Sequence, residues 1–317
     1  MLTAFLTTLE QMIRILLFLA IGFGMNKLHI LPNGASKGIS KLATTLFLPA
    51  MLLHSNMTEF NLSDVATYGK IVMLGVIIWA ATTIPSLWIA KRLSGDDPND
   101  RGVFLYGLSF PNSGAIGTPL ALALAGSVGL FKFNLFLLMY VVMTYSWGIN
   151  LFLDTERKNS VKRFFVNMLN PIFISMVVGL VLGALYAKRW MPPIIIQVAG
   201  DLGSCFVPVS LLMAGYSIAE YPFGDVFKQK KSYIFTALRL VIIPLLVMLA
   251  LRFTGVAKDL TTLVLFAMAS PSGMNVVVFP AAYGRDCKTG ASIVLMSCLG
   301  SVITMPLLYA LLQVIFK

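Results

Sequence analysis

Two stretches of the chain carry residues able to do chemistry inside an apolar surrounding: Phe110-Pro-Asn-Ser-Gly-Ala-Ile-Gly-Thr-Pro119 and Ser270-Pro-Ser-Gly-Met-Asn-Val-Val-Val-Phe-Pro280. Proline lacks a backbone donor and its ring collides with the preceding turn, while glycine accepts dihedrals closed to other residues. A continuous helix is therefore not expected over roughly 110–118 and 271–279. A break leaves N–H groups at the start of the downstream half-helix without intrahelical acceptors, at the positive end of its dipole. Two such ends brought together hold a carboxylate without a formal cation. Asn112, Ser113, Gly114, Ser272, Gly273 and Asn275 form the expected binding set, and Pro111, Gly117, Thr118, Pro119, Pro271 and Pro280 the expected crossover. Thr118-Pro119 reads as an N-cap followed by proline at the first helical position, and Pro280 as the start of the second half-helix. The plainer alternative is a pair of proline-kinked helices that only pack closely.

Other polar residues carry less. Arg239 lies inside an apolar run, where charge is costly; it either attracts an anion or snorkels to the interface. Arg14 is closer to a run end, where snorkelling explains it. His54 titrates in the range of a proton relay, against which stands a simple packing histidine. Glu10, Asp201 and Asp259 sit near predicted span ends and face water. Cys205, Cys287 and Cys298 match no metal or redox spacing, so no metal site is expected. No cofactor is expected either, beyond a coupling Na+ or H+ that backbone carbonyls would bind without leaving a sequence trace.

The elements that must hold these residues are membrane helices. Of 317 residues, 58% are hydrophobic and 12% charged, about half the charged share of a soluble protein. Residues 71–90, 102–131, 133–153, 164–187, 260–284 and 289–316 contain no Asp, Glu, Lys or Arg. About 20 apolar residues cross the hydrocarbon core, and without barrel-like alternation these runs must be helices. Ten spans are predicted, at 12–30, 42–58, 69–90, 102–126, 129–153, 168–188, 202–219, 232–252, 260–284 and 289–316. The net charge of +11 is explained by basic loops and not by nucleic acid. Fifteen lysines and arginines fall on odd-numbered loops and seven on the opposite side, so the odd loops are expected in the cytoplasm and both termini outside the cell membrane. The start at Met1 has no basic leader or cleavage site, so the first span is expected to be retained.

The chain also resembles itself. A shift of 159 residues sets Gly24 on Gly183, Phe47 on Phe206, Pro49 on Pro208 and Leu52-Leu53 on Leu211-Leu212; at nearly the same shift Pro119 meets Pro280. Five spans per half make the repeat inverted, as in many secondary transporters. The expected fold is thus all-α and polytopic, with a first repeat over 1–155 and a second over 156–317, joined by the polar connection 154–163. The expected function is secondary transport of a small organic anion. No His-Glu-x-x-His, Gly-x-Gly-Asp or paired carboxylates point to an intramembrane enzyme, and no soluble signalling domain points to a sensor.

At the motif Asn112-x-Gly114-x-x-Gly117-x-Pro119, with Pro271-Ser-Gly-Met-Asn275 and Pro280, the sequence resembles the auxin efflux carrier family over its whole length. The long cytoplasmic loop of the plant members is absent, so it is most similar to the short prokaryotic branch of malate and malonate permease-like proteins. The resemblance implies a fold shared with bile-acid:sodium symporters and sodium/proton antiporters, in which spans one, two, six and seven form a scaffold that commonly makes a homodimer. The remaining spans, with broken and crossed spans four and nine, would move against it as an elevator. By the same resemblance Asn112 and Asn275 would contact the carboxylate of a mono- or dicarboxylate, while Pro119 and Pro280 would define the crossover. A sodium-coupled symporter of the bile-acid type is the nearest alternative.

Overall fold

The computed structural model describes residues 2–32, 34–152, 169–220 and 227–316; the basic connection 154–163 lies outside them. Helix α1 (Leu2–Lys27) is followed by α2 (Ala35–Leu42), a π-turn (Ala43–Phe47) and α3 (Leu48–Glu59), which run on as one rod. Next come α4 (Val65–Ser94), α5 (Pro98–Ser109), a π-turn (Ser113–Gly117) and α6 (Thr118–Met143), prolonged to Phe152 by a π-turn (Thr144–Gly148) and a 3-10 turn (Ile149–Phe152). The second half contains α7 (Pro171–Ala184), α8 (Pro193–Ser204), α9 (Phe206–Ile218), α10 (Lys230–Ala237), a π-turn (Leu238–Ile242) and α11 (Ile243–Phe253). It ends with α12 (Lys258–Met268), α13 (Asn275–Ala282) and α14 (Lys288–Ile315).

Six helical stretches among the described residues are long and apolar enough to cross a membrane: Thr8–Lys27, Leu62–Ser94, Ser113–Phe152, Pro193–Ile218, Lys230–Phe253 and Lys288–Ile315. The third has 40 residues. At 1.5 Å per residue it would measure about 60 Å, twice the hydrocarbon thickness of about 30 Å. It does not run straight: Gly126, inside α6, adopts φ 65° and ψ −166°, outside the helical region. Glycine is the residue that takes this conformation without a Cβ penalty, and it stands where the sequence separates the fourth predicted span from the fifth. The first and seventh predicted spans start early: α1 begins at Leu2 instead of residue 12. The seventh starts at Pro193 instead of residue 202, because α8 and α9 join through Cys205 in near-helical geometry (φ −70°, ψ −19°).

Prolines leave a regular signature. Three π-turns end two residues before a proline: Phe47 before Pro49, Gly117 before Pro119 and Ile242 before Pro244. A proline cannot donate to the carbonyl four residues back and its ring crowds that carbonyl. Widening the preceding turn to i→i+5 bonding makes room for the ring, so at Pro119 the chain stays helical where a break was expected.

Close helix crossings are made by glycines. A Cβ on Gly22 of α1 would overlap the Leu212 carbonyl of α9, and one on Gly215 of α9 would overlap the Leu19 carbonyl of α1. In the same way Gly179 and Gly183 of α7 abut Leu53, Asn56 and Phe60. The α1–α9 and α3–α7 pairs are among the most extensive packings of the molecule. The main core lies elsewhere, around the fully buried Phe104, Phe133, Phe136, Phe235 and Phe266 of α5, α6, α10 and α12.

Candidate functional site

The backbone leaves the helix twice, and the two excursions meet. Helix α5 ends at Ser109; Phe110 is extended (φ −124°, ψ 96°), and helical structure resumes at Ser113. Helix α12 ends at Met268, and α13 begins at Asn275. Between them Pro111 pairs antiparallel with Ser272, the one isolated β-bridge among the described residues. The Asn112 N–H donates to the Pro271 carbonyl at 2.8 Å, so proline's missing donor is not needed at the crossing. Ser272 N–H donates to Ser297 Oγ of α14 at 3.1 Å. Irregular backbone at this depth is thus satisfied within the protein.

The breaks fall where the sequence puts them, but they are shorter. The first half-helix starts at Ser113, not at Thr118-Pro119, and its first helical bond runs from the Ile116 N–H to the Asn112 carbonyl at 3.1 Å. The second starts at Asn275, with Pro280 inside it. Pro119 and Pro280 therefore lie within the half-helices, and the crossing itself is made by Pro111 and Ser272. The N–H groups preceding Ile116 stand at the open end of their helix, where a negative group is favoured.

On one side of the crossing is a cavity of ≈ 830 Å³, into which Asn112, Ser113, Gly114, Gly273 and Asn275 all project. Tyr106 joins them, and Asn275 Nδ2 donates to its Oη at 2.8 Å. Tyr106 was not legible as a site residue: its sequence neighbourhood is apolar, and only the crossing brings α5 to α13. Leu48, Met51, Ile172 and Phe206 also line the cavity, with Ser210 and Ser217 of α9 among these largely apolar residues. At the mouth stand Lys37, Lys41 and Glu220, all exposed.

Several expected residues are elsewhere. Ser272 is fully buried and does not line the cavity; its hydroxyl has no hydrogen-bond partner. His54 also lies off the cavity, on α3, where it packs so near Gly200 of α8 that a Cβ there would meet its Nε2 at 3.1 Å. Arg239 neither snorkels nor faces the cavity. It is 1% exposed, its Nη1 donates to the Leu108 carbonyl at 3.2 Å and its Nε to the Ser270 carbonyl at 3.2 Å. The guanidinium therefore ties together the ends of both upstream half-helices, where unpaired carbonyls concentrate negative charge. Arg14, by contrast, is exposed and 3.9 Å from the exposed Glu10.

Two breaks joined across a polar-floored cavity are transporter architecture, and comparison with known sequences decides the family. The profile of a family described as membrane transport proteins matches residues 7–309, nearly the whole chain and both breaks. The chain belongs to the auxin efflux carrier family. It is a multi-pass membrane transporter. Over 152 residues it is 25% identical to Protein ECM3 of Saccharomyces cerevisiae (strain ATCC 204508 / S288c), a match covering 44% of this chain. The match covers 24% of that relative, about a quarter of its length.

Proposed function

We propose that this auxin efflux carrier family member is a secondary carrier for a small organic anion, bound by its carboxylate at the crossover of the two breaks. One observation carries the reading: Asn112 and Asn275, one from each half, project into a single cavity beside two half-helix starts. In this reading ten spans form two inverted halves, 1–155 and 156–317. The α1–α9 and α3–α7 packings support it, because spans one and seven exchange with six and two under such symmetry.

The same reading makes α1, α2–α3, α7 and α8–α9 the scaffold, joined in a homodimer, and the remaining helices a transport unit that moves as an elevator. Cavity lining supports the division: the amides, Ser113 and Tyr106 come from α5, α13 and the break before α6, and the residues of α3, α7 and α9 are largely apolar. By the positive-inside rule Lys37 and Lys41 are cytoplasmic, so the cavity opens to the inside and both termini face out. Cargo would lie with its carboxylate against the half-helix starts and its body against the largely apolar residues of α3, α7 and α9.

Uptake of labelled carboxylates into proteoliposomes tests the proposal. Flux above empty vesicles for at least one acid is expected, lowered in Asn112→Ala and Asn275→Ala with folded protein retained. No flux for any acid would refute the carrier; wild-type flux in both variants would refute the site. Repeating the uptake with sodium replaced, and with pH gradients collapsed, separates uniport from sodium or proton coupling.

A further inference from the structure

We infer that Asn134 is a second cargo contact, away from the crossing, which reads a hydrogen-bonding oxygen that the cargo carries a few atoms from its carboxylate. The inference rests on the carrier reading above and adds to it the chemistry of the cargo's other end.

Asn134 lies on α6, is 2% exposed and lines the cavity. Its Nδ2 is fully enclosed and has no hydrogen-bond partner. An amide left unpaired in the interior is costly, and a leucine of similar size would carry no such cost. Other polar side chains of the same cavity are already committed to backbone carbonyls. Thr44 donates to Ser40 at 3.0 Å, Ser210 to Val207 at 3.0 Å and Thr118 to Ser113 at 3.4 Å. The Asn134 Nδ2 has hydrogens to give and no acceptor. A half-turn of the amide plane exchanges Nδ2 with the similarly sized Oδ1, so the group offers the cavity either a donor or an acceptor.

Its place on α6 says where on the cargo this contact falls. Asn134, Leu137, Val141 and Thr144 line the cavity at the spacing of one helix face. On the same helix the Tyr140 hydroxyl donates to Met268 Sδ at 3.6 Å, and Met268 ends α12 where the second break begins. Tyr140 therefore marks the level of the crossing. Asn134 lies six residues away in regular helix, about 9 Å along its axis. Hydrogen bonds of about 3 Å at one or both ends leave about 3–6 Å between the cargo's two polar groups, about three or four bonds. Leu137 stands between the two levels, so the linking chain meets an apolar surface. In the carrier reading α6 moves with α5 and α13, and Asn134 travels with Asn112, Asn275 and their load.

The test uses isosteric acids, all monoanions, in which a terminal hydroxyl is replaced by methyl: 4-hydroxybutanoate with pentanoate, and 3-hydroxypropanoate with butanoate. Affinity for the purified full chain is measured by calorimetry. In the wild type the hydroxy acid of at least one pair should bind about fivefold or more tighter than its methyl partner, and Asn134→Leu should bring that ratio to about one. Asn134→Ala, which cannot overpack, should lose the ratio in the same way. Because Asn134→Leu removes an unpaired buried amide, it should melt no lower than the wild type. A ratio that survives in both variants places the reading of the oxygen elsewhere and overturns the inference. So does an Asn134→Leu protein that melts lower and binds nothing, because the amide would then hold the fold. Equal affinities within both pairs, or no binding of any of the four while another carboxylate is carried, overturn the inference and leave the carrier standing. No binding of these acids and no uptake of any carboxylate overturn both.

Discussion

Replacing Tyr106 by phenylalanine removes one atom from the site and nothing from its packing. The ring lies 4.6 Å from that of Phe110 and meets Phe279 edge-on at 5.6 Å, contacts that phenylalanine keeps. What is lost is the 2.8 Å bond from Asn275 Nδ2, which fixes the direction in which the amide presents itself to the cavity. A neutral hydrogen bond is worth about 0.5–1.5 kcal/mol net, and water in the cavity can partly replace it. Tyr106→Phe should therefore lower kcat/KM by about 2- to 13-fold. If Asn275 holds the carboxylate equally in the resting and moving complexes, the change falls on KM. Initial-rate uptake in proteoliposomes measures both constants, with thermal unfolding in detergent as the control. Wild-type kinetics in Tyr106→Phe would refute the idea that this bond orients a binding amide. A large loss of thermal stability with unaltered kinetics would make Tyr106 a purely structural residue.

Arg239→Lys keeps the charge but cannot reach both carbonyls in fork geometry, and Arg239→Gln removes the charge. Thermal unfolding should fall in the order wild type, Lys, Gln, by about 1.5–3 kcal/mol per lost charge-assisted bond, and an unchanged Gln variant would contradict the tie between the breaks. Lys37→Gln with Lys41→Gln should slow anion loading from the mouth side by a few-fold at low salt and not at high salt; a salt-independent loss would contradict a long-range role. Gly22→Ala inserts a methyl against the Leu212 carbonyl and should cost about 1–3 kcal/mol in unfolding, whereas the same change at the open Gly24 should be near neutral. Burial pushes the Asp100 carboxyl above the ordinary value of 3.8, ahead of smaller effects from Thr289, Asp97, Lys231 and Asp286. The folded state then holds that proton more tightly than the unfolded one, so stability from this group rises as pH falls towards 3.8. Asp100→Asn should flatten that rise in a melting-temperature series; an identical slope would refute it.

The breaks were legible because proline and glycine act locally: Pro111 and Pro271 restrict the backbone, and Gly114 and Gly273 loosen it, whatever surrounds them. Their exact extent was not. Pro119 and Pro280 satisfy the rules for a helix start, yet both sit inside helices, and at Pro119 the preceding π-turn absorbs the ring. Whether a proline starts a helix or is accommodated within one depends on the turn before it, which composition does not report. Arg239 shows the same limit for charge. Its depth was readable, but its partners are backbone carbonyls of α5 and α12, and carbonyls carry no sequence signature. Ser272 and Asn275 lie three residues apart in one motif, yet only Asn275 lines the cavity, because spacing along a non-helical backbone does not say which way a side chain turns. Tyr106 needed the crossing itself to be known.

The most direct measurement is a structure of the purified carrier with a transported carboxylate bound. The carboxylate should lie between the half-helix starts at Ser113 and Asn275, within hydrogen-bond reach of the Asn112 and Asn275 amides, with Arg239 still on its carbonyls behind. A carboxylate held by Arg239 or His54, or a continuous helix from α5 into α6, would contradict it.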